Sequence, residues 1–190
     1  MARVGGVSTR VRVATSDDAR TIAEIHVASW QEGYRGQLPD GFLKSLSVDA
    51  RQARWALSLR DGATVLLAEQ AGEAVGFVMY GPSRDDDAPA NCAEIWALYV
   101  HPSAWCSGVG RKLHDGALAA LAADGSTAAA LWVLHSNDRA RRFYSRLGWH
   151  LDGAAKVVER PGVTLSEVRY KQALGTRAAA PSSLTSSTGH

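Results

Sequence analysis

The spacing of apolar residues divides the chain into short strands alternating with longer helices. Residues 11–14 (VRVA) alternate with period two and read as a strand. Thr15 and Asp18 then stand three apart, as in a capping box, and Ile22, Ile25, His26 and Ala28 or Ser29 follow at helical spacing to about Trp30. Residues 31–41 break that period with three glycines and a proline, and a second helical region is predicted over residues 42–59. TVLLAEQ (64–70) and EAVGFVMY (73–80), joined by Ala71 and Gly72, predict a hairpin. The loop GPSRDDDAPAN (81–91) is the longest hydrophilic gap before the tail.

The second half repeats the alternation. Residues 92–100 (CAEIWALYV) form an almost continuous apolar run, a buried strand ended by His101 and Pro102. From Gly108 onward Val109, Leu113, Ala117 and Leu121 recur at helical period. TAAALWVLH (127–135) reads as a strand. Residues 137–148 read as a helix with Asn137 at its cap, Ala140, Phe143, Tyr144 and Leu147 on one stripe, and Gly148 as terminator. Two strands, 149–160 and 163–174, close the pattern. The tail after Leu174 is small and polar, with few core-forming residues, and is expected to be disordered. The prediction is one α/β domain over residues 11–174 with a mixed sheet, an extension over 1–10, a tail over 175–190, and no internal repeat.

Composition narrows the chemistry. With 46% hydrophobic and 21% charged residues in 190, the chain can bury one sizeable core. A net charge of +2 is too mild for a dedicated nucleic-acid binder and suits a modest anionic ligand. Cys92 and Cys106, the only cysteines, match neither a disulfide framework nor a metal-ligand spacing, so no metal is expected. No run approaches the roughly 18 to 20 apolar residues of a membrane span. The first ten residues also lack the apolar stretch of a signal peptide. A cytoplasmic protein with neither membrane nor nucleic-acid partner is the expectation.

The most informative stretch is WCSGVG, residues 105–110, between the buried strand and the next helix. Glycines at 108 and 110 let a ligand approach the backbone, and a helix start presents free N–H groups and the positive end of its dipole. The pattern is not a Walker loop, and Leu113 stands where a dinucleotide fingerprint needs its third glycine. Close packing of helix on strand would also place glycines here.

Taken together, AEIWALYVHPSAWCSGVGRKL and LWVLHSNDRARRFYSRLGW resemble the acetyl-CoA-binding half of the GNAT superfamily of N-acetyltransferases. The superfamily's signature, Gln or Arg, two residues, Gly, one residue, then Gly or Ala, falls on residues 105–110 with Trp105 as the departure. The resemblance extends over residues 11–173, most strongly in the second half. It implies a mixed, mostly antiparallel sheet of about seven strands flanked by four helices. It also implies an enzyme that passes an acetyl group from acetyl-CoA to a primary amine of a small molecule, peptide or protein. A non-catalytic acyl-CoA sensor is the alternative. Oligomeric state stays open, a homodimer being one option.

The same resemblance implies roles for individual residues. Leu98, Tyr99 and Val100 would bond the pantetheine arm, and a backbone N–H near Tyr99 would stabilise charge on the thioester oxygen. The N–H groups of Cys106, Ser107, Gly108, Val109, Gly110 and Arg111 would hold the pyrophosphate. Asn137 would reach the cofactor, or simply cap its helix. Tyr144 would protonate the departing thiolate, or simply pack. One or two of Arg139, Arg141, Arg142 and Arg146 would face the cofactor's 3'-phosphate. An ammonium acceptor must lose a proton before it attacks. Glu94, early on the strand and expected on the face of Trp96 and Leu98, is the candidate base or a solvated residue. Trp132 stands where some members carry a glutamate, which makes His135 the next candidate. Trp30 and Tyr34 would wall the acceptor pocket, and Asp85, Asp86 and Asp87 either attract a cation or are merely solvated.

Overall fold

The computed structural model describes residues 7–175. Residues 1–6 and 176–190, which hold most of the predicted extension and nearly all of the predicted tail, lie outside the described residues. The chain runs through β1 (Thr9–Val13), α1 (Ala19–Gly33), α2 (Asp40–Lys44), α3 (Val48–Arg60), β2 (Thr64–Gln70), β3 (Glu73–Pro82) and β4 (Cys92–Val100). It continues through α4 (Val109–Ala123), β5 (Ala128–Leu134), α5 (Asp138–Arg146), β6 (His150–Arg160) and β7 (Val163–Ala173). The seven strands form one sheet in the order β1-β2-β3-β4-β5-β7-β6. Only β4 and β5 pair in parallel; the other neighbours are antiparallel. The expected mixed, mostly antiparallel sheet is therefore present.

Local chemistry explains most boundaries. The Asp18 carboxylate accepts from the Thr15 amide at 2.7 Å, so the predicted capping box forms, on a short 3-10 turn that feeds α1. The predicted helix over 42–59 is two helices instead. Ser47 accepts from the Ala50 amide at 3.2 Å and starts α3 afresh, because a serine side chain that caps a new helix competes with continuation of the old one. A fifth, short helix, α2, is the result. β1 begins at Thr9, inside the predicted extension.

Each face of the sheet carries its own core. Val78, Ile95, Leu131 and Val133 pack with Val109, Leu113 and Ala117 of α4 and with Tyr144 of α5. Val65, Leu67 and Phe77 pack on the opposite face with Ile22 and Ile25 of α1 and Trp55 of α3. A third, smaller cluster joins Tyr34 and Leu43 to Leu134 and Leu165, closing the end of the sheet where the β6–β7 hairpin meets α1 and α2.

Candidate active site

Two neighbours part company midway along the sheet. β4 pairs with β5 only from Cys92 opposite Ala128 to Ile95 opposite Leu131; beyond Ile95 the ladder stops while β4 continues to Val100. On its other side β4 stays bonded to β3 throughout, with Tyr99 opposite Phe77 and Val100 opposite Gly76. The His101 amide donates to the Val75 carbonyl at 2.8 Å, which fixes the phase of that ladder. Backbone groups alternate sides along a strand, so those of Tyr99 are spent on β3 and those of Leu98 and Val100 turn into the gap. The expected row of Leu98, Tyr99 and Val100 thus reduces to Leu98 and Val100, and the Tyr99 N–H is not the free donor. The Val100 carbonyl is itself used twice, accepting from Trp105 Nε1 at 2.7 Å and from Ser29 Oγ at 2.9 Å.

A bulge on β4 changes which side chains share a face. Met79 stands opposite Ala97 and Tyr80 opposite Ile95, leaving Trp96 unpaired. Ile95, Leu98 and Val100 therefore all reach the core under α4, while Ala97 and Tyr99 reach the core under α1 and α3. This corrects the alternation expected for Glu94, which falls on the face of Ala97 and Tyr99 rather than that of Leu98. Trp96 lies across Gly81, where a Cβ would come within 2.5 Å of the indole.

The gap opens onto a cleft of about 710 Å³ whose wall includes the turn after β4. Gly108 caps α4 with φ +86°, a left-handed conformation that glycine tolerates and side chains resist. Cys106, exposed, also has positive φ, at 61°. None of the amides of residues 106–111 donates to a backbone or side-chain acceptor among the described residues. Six consecutive N–H groups at the start of a 15-residue helix make a concave donor set suited to an anion of several oxygens. Gly110 faces α5, its Cα so near Phe143 that a Cβ would stand 3.6 Å from the ring. The Ser107 hydroxyl turns inward and donates to the Ala104 carbonyl at 2.7 Å. Trp105 carries the Arg139 guanidinium 3.6 Å over its ring, a cation–π contact worth about 0.5–1 kcal/mol at an exposed site. Arg139 has no carboxylate partner among the described residues.

Across the gap α5 presents Asn137, Arg139, Phe143 and Tyr144. Asn137 does two things at once: its Oδ1 accepts from the Ala140 amide at 3.0 Å and its Nδ2 donates to the Tyr34 hydroxyl at 3.1 Å. Tyr144 is buried against Phe143 and Trp149, and burial pushes its hydroxyl well above the usual tyrosine range, so it stays protonated. Burial likewise raises Tyr34. Trp30 and Tyr34 meet with their rings tilted by 60° and their centroids 4.9 Å apart, and both line the same cleft. The structure therefore brings together Trp30, Tyr34, Leu98, Tyr99, Val100, Cys106, Gly108, Gly110, Arg111, Asn137 and Tyr144 around one cavity. Val109 is fully buried beneath the turn and the Ser107 hydroxyl is tied to the Ala104 carbonyl, so only their amides count toward it.

Glu94 is not part of this wall. Its buried carboxylate accepts from the Arg84 amide at 2.9 Å and from the Arg84 guanidinium at 2.8 Å, which seals it at the closed end of β4. His135 is exposed and its backbone joins β7, outside the cleft. Asp85 and Asp87 clamp the buried Arg169, and Asp85 also accepts from Trp132 Nε1 at 3.0 Å, so they bind the loop rather than wait for a cation. The carboxylate that does reach the cleft is Glu167, on β7 opposite Leu134. Lys156 on β6 lies 3.5 Å from it and 3.8 Å over the Trp132 ring. Sequence reasoning passed over Glu167 because both faces of its strand carry apolar and charged residues, so alternation does not reveal which side is inward. Among the described residues no group of three His, Cys, Asp or Glu is placed to hold a metal, and no helix is long and apolar enough to cross a membrane.

Comparison with known proteins bears on this geometry. Residues 22–149 match the model of the acetyltransferase (GNAT) family. A Mycobacterium tuberculosis protein named a probable N-acetyltransferase is 30% identical over 168 residues, covering 85% of this chain and 92% of its own. Among solved structures, the PaiA N-acetyltransferase of Thermoplasma acidophilum in complex with coenzyme A superposes with a TM-score of 0.68 at 19% identity, covering 87% of this chain and 99% of that one. The Salmonella typhimurium protein yncA, solved with its cofactor acetyl-CoA, gives a TM-score of 0.65 at 23% identity, over 90% of this chain and 96% of that one.

Proposed function

Because the chain belongs to the GNAT acetyltransferase family, we propose that it transfers an acetyl group from acetyl-CoA to a primary amine of a small molecule, peptide or protein, by direct attack in a ternary complex. The observation that carries this reading is the run of six free amides at the start of α4, set beside the open edge of β4. The amides of residues 106–111 hold the pyrophosphate. The backbone groups of Leu98 and the Val100 amide, which face the gap, pair with the amides of the pantetheine arm, as an added strand would, the Val100 carbonyl being taken by Trp105 and Ser29. The structures solved with coenzyme A and acetyl-CoA in related folds support the choice of cosubstrate.

The chemistry requires a neutral amine, whose lone pair attacks the thioester carbonyl carbon. Glu167, the carboxylate on the cleft wall, takes the amine proton directly or through a water. The carbon–sulfur bond then breaks. Tyr144, kept protonated by burial, gives its proton to the departing thiolate. The Leu98 or Val100 amide, facing the gap, is the donor for the carbonyl oxygen as it gains charge. Asn137 positions Tyr34 at the acceptor side, and Trp30 completes the aromatic wall.

The test is an acceptor screen that follows free thiol release from acetyl-CoA over polyamines, aminoglycosides, amino acids and peptides. Release that depends on one acceptor class supports the reading. A flat response to every class, with acetyl-CoA bound, would replace it with a non-catalytic binding module.

A further inference from the structure

Beside Trp30, on the aromatic wall of the cleft, stands a guanidinium with no ion-pair partner among the described residues. Arg51 on α3 is partly buried, with its guanidinium carbon 5.9 Å from the centre of the Trp30 ring. Trp30 lines the cleft, and Arg51 stands against it from just outside that lining. Arg54 and Arg160 lie close enough to repel it. Among the described residues none of these three arginines has a hydrogen-bonded or carboxylate partner, whereas Arg12, Arg20, Arg84 and Arg169 are each paired. Desolvation, with the two neighbouring guanidiniums, pushes Arg51 below its ordinary range; an anion at this place would relieve that penalty.

The acidic side of the balance is small. Glu167 is the carboxylate on the cleft wall and already has Lys156 beside it. Arg84 and Glu94 cancel each other, and Asp85 and Asp87 are bound to Arg169. An acceptor that is cationic throughout, such as a polyamine or an aminoglycoside, would have Arg51 behind Trp30 and Lys156 beside Glu167, with one shared carboxylate to offset them. A molecule with an amine at one end and an oxyanion near it meets a complementary field: its amine toward Glu167 and its oxyanion toward the planar donor fork of Arg51.

Resting on the acetyl-transfer reading above, we propose that the acceptor is a small amine that also bears an oxyanion, a carboxylate or phosphonate, and that Arg51 is the residue that binds it. Arg51 thereby sets specificity. Trp30 supplies the apolar surface on which the intervening carbons rest.

The experiment compares initial rates of thiol release for free amino acids, their methyl esters, aminophosphonates and polyamines, on the wild-type chain, Arg51→Gln and Arg51→Lys. The ester removes the negative charge but keeps the skeleton, and it makes the amine less basic, so a preference for the acid is not an effect of amine basicity. The wild type is expected to prefer the acid or the phosphonate over the ester by at least about tenfold in kcat/KM, and whichever of the two is favoured names the oxyanion. Arg51→Gln is expected to raise KM for that acceptor by about tenfold or more and bring the acid-to-ester ratio toward one, with Arg51→Lys recovering part of it. Titration of each variant with acetyl-CoA separates a loss at the acceptor from a loss at the α4 turn. Esters or polyamines that match the acids in the wild type, or an Arg51→Gln effect equal for every acceptor, would overturn this assignment while leaving acetyl transfer intact. No thiol release with any of these would overturn this assignment, and none with the peptides and aminoglycosides of the wider screen would remove acetyl transfer as well.

Discussion

The two ends of β4 have opposite fates. At the Cys92 end the strand is bonded on both sides, and its one carboxylate, Glu94, is locked to Arg84. At the Val100 end the ladder to β5 has stopped, backbone groups face a cavity, and the following turn holds out unpaired amides. Both ends belong to one apolar run. The difference between them teaches that a charged residue on the right strand is no guide to chemistry unless it lies past the point where the strands separate.

The largest expected effect comes from closing the open end. Gly108→Val forces a β-branched residue to φ +86°, and Gly110→Val drives methyl groups toward Phe143, so either is expected to weaken acetyl-CoA binding by about 100-fold or more in calorimetric titration. Circular dichroism checks that both variants fold. Tight binding by both would show that the turn is not the anion site.

Next in size is a contrast between carboxylates at the two ends. Tyr144→Phe and Glu167→Gln are each expected to lower kcat by about 100-fold while acetyl-CoA affinity holds, the usual scale for removal of one general acid or base. Glu94→Gln is expected to leave turnover within about twofold and to lower the midpoint of thermal unfolding, by about 1–3 kcal/mol of stability, because a buried carboxylate loses its charge-assisted bonds to the more exposed Arg84. A turnover loss at Glu94 equal to that at Glu167 would reverse the comparison.

A third prediction concerns the face of the sheet beneath the acceptor side. His26 is buried, accepts from Trp55 Nε1 at 3.3 Å, and is pushed down to about 3, first by desolvation and then by Arg51 and Arg54. The unfolded chain binds this proton near the ordinary histidine pKa of about 6.5 and the folded chain does not. The histidine's stabilising effect is therefore full above that value and declines, on the order of a few kcal/mol in all, as pH falls from about 6.5 toward 3. Urea unfolding of wild type and His26→Phe at pH 7, 5.5 and 4.5 checks this: the variant should lose the slope. An unchanged slope would assign the acid sensitivity to other groups.

The smallest effects are expected at side chains of the turn itself. Ser107→Ala is expected to change acetyl-CoA affinity by less than about threefold, because the hydroxyl is turned inward to Ala104 and only the amide faces out. Cys106, exposed in the same turn, is expected to be alkylated in the free protein and protected by acetyl-CoA, as read by mass spectrometry. Equal labelling with and without acetyl-CoA would count against the site.

Much of the fold was legible because each element carries a local signal. Strong alternation, the Thr15–Asp18 cap, Asn137 and the glycine pair at 108 and 110 lie within a few residues of what they determine. What was not legible depends, apart from the cap that Ser47 makes to Ala50 three residues on, on partners more distant in sequence. The split of the 42–59 helix turns on one serine's choice of partner. The bulge at Trp96, which moved Glu94 to the other face, arises from register with β3. Glu94 looked available until Arg84, ten residues earlier, folded back onto it, and Glu167 became visible only when the β6–β7 hairpin met α1 and α2.

Trp105 stands where related motifs have glutamine or arginine, and Arg139 from the next helix lies on its ring. A guanidinium at that corner is thus supplied from a second segment, while the indole secures the Val100 carbonyl. Arginine at 105 would set two guanidiniums face to face and release that carbonyl, so a substitution at 105 and one at 139 are expected to be non-additive.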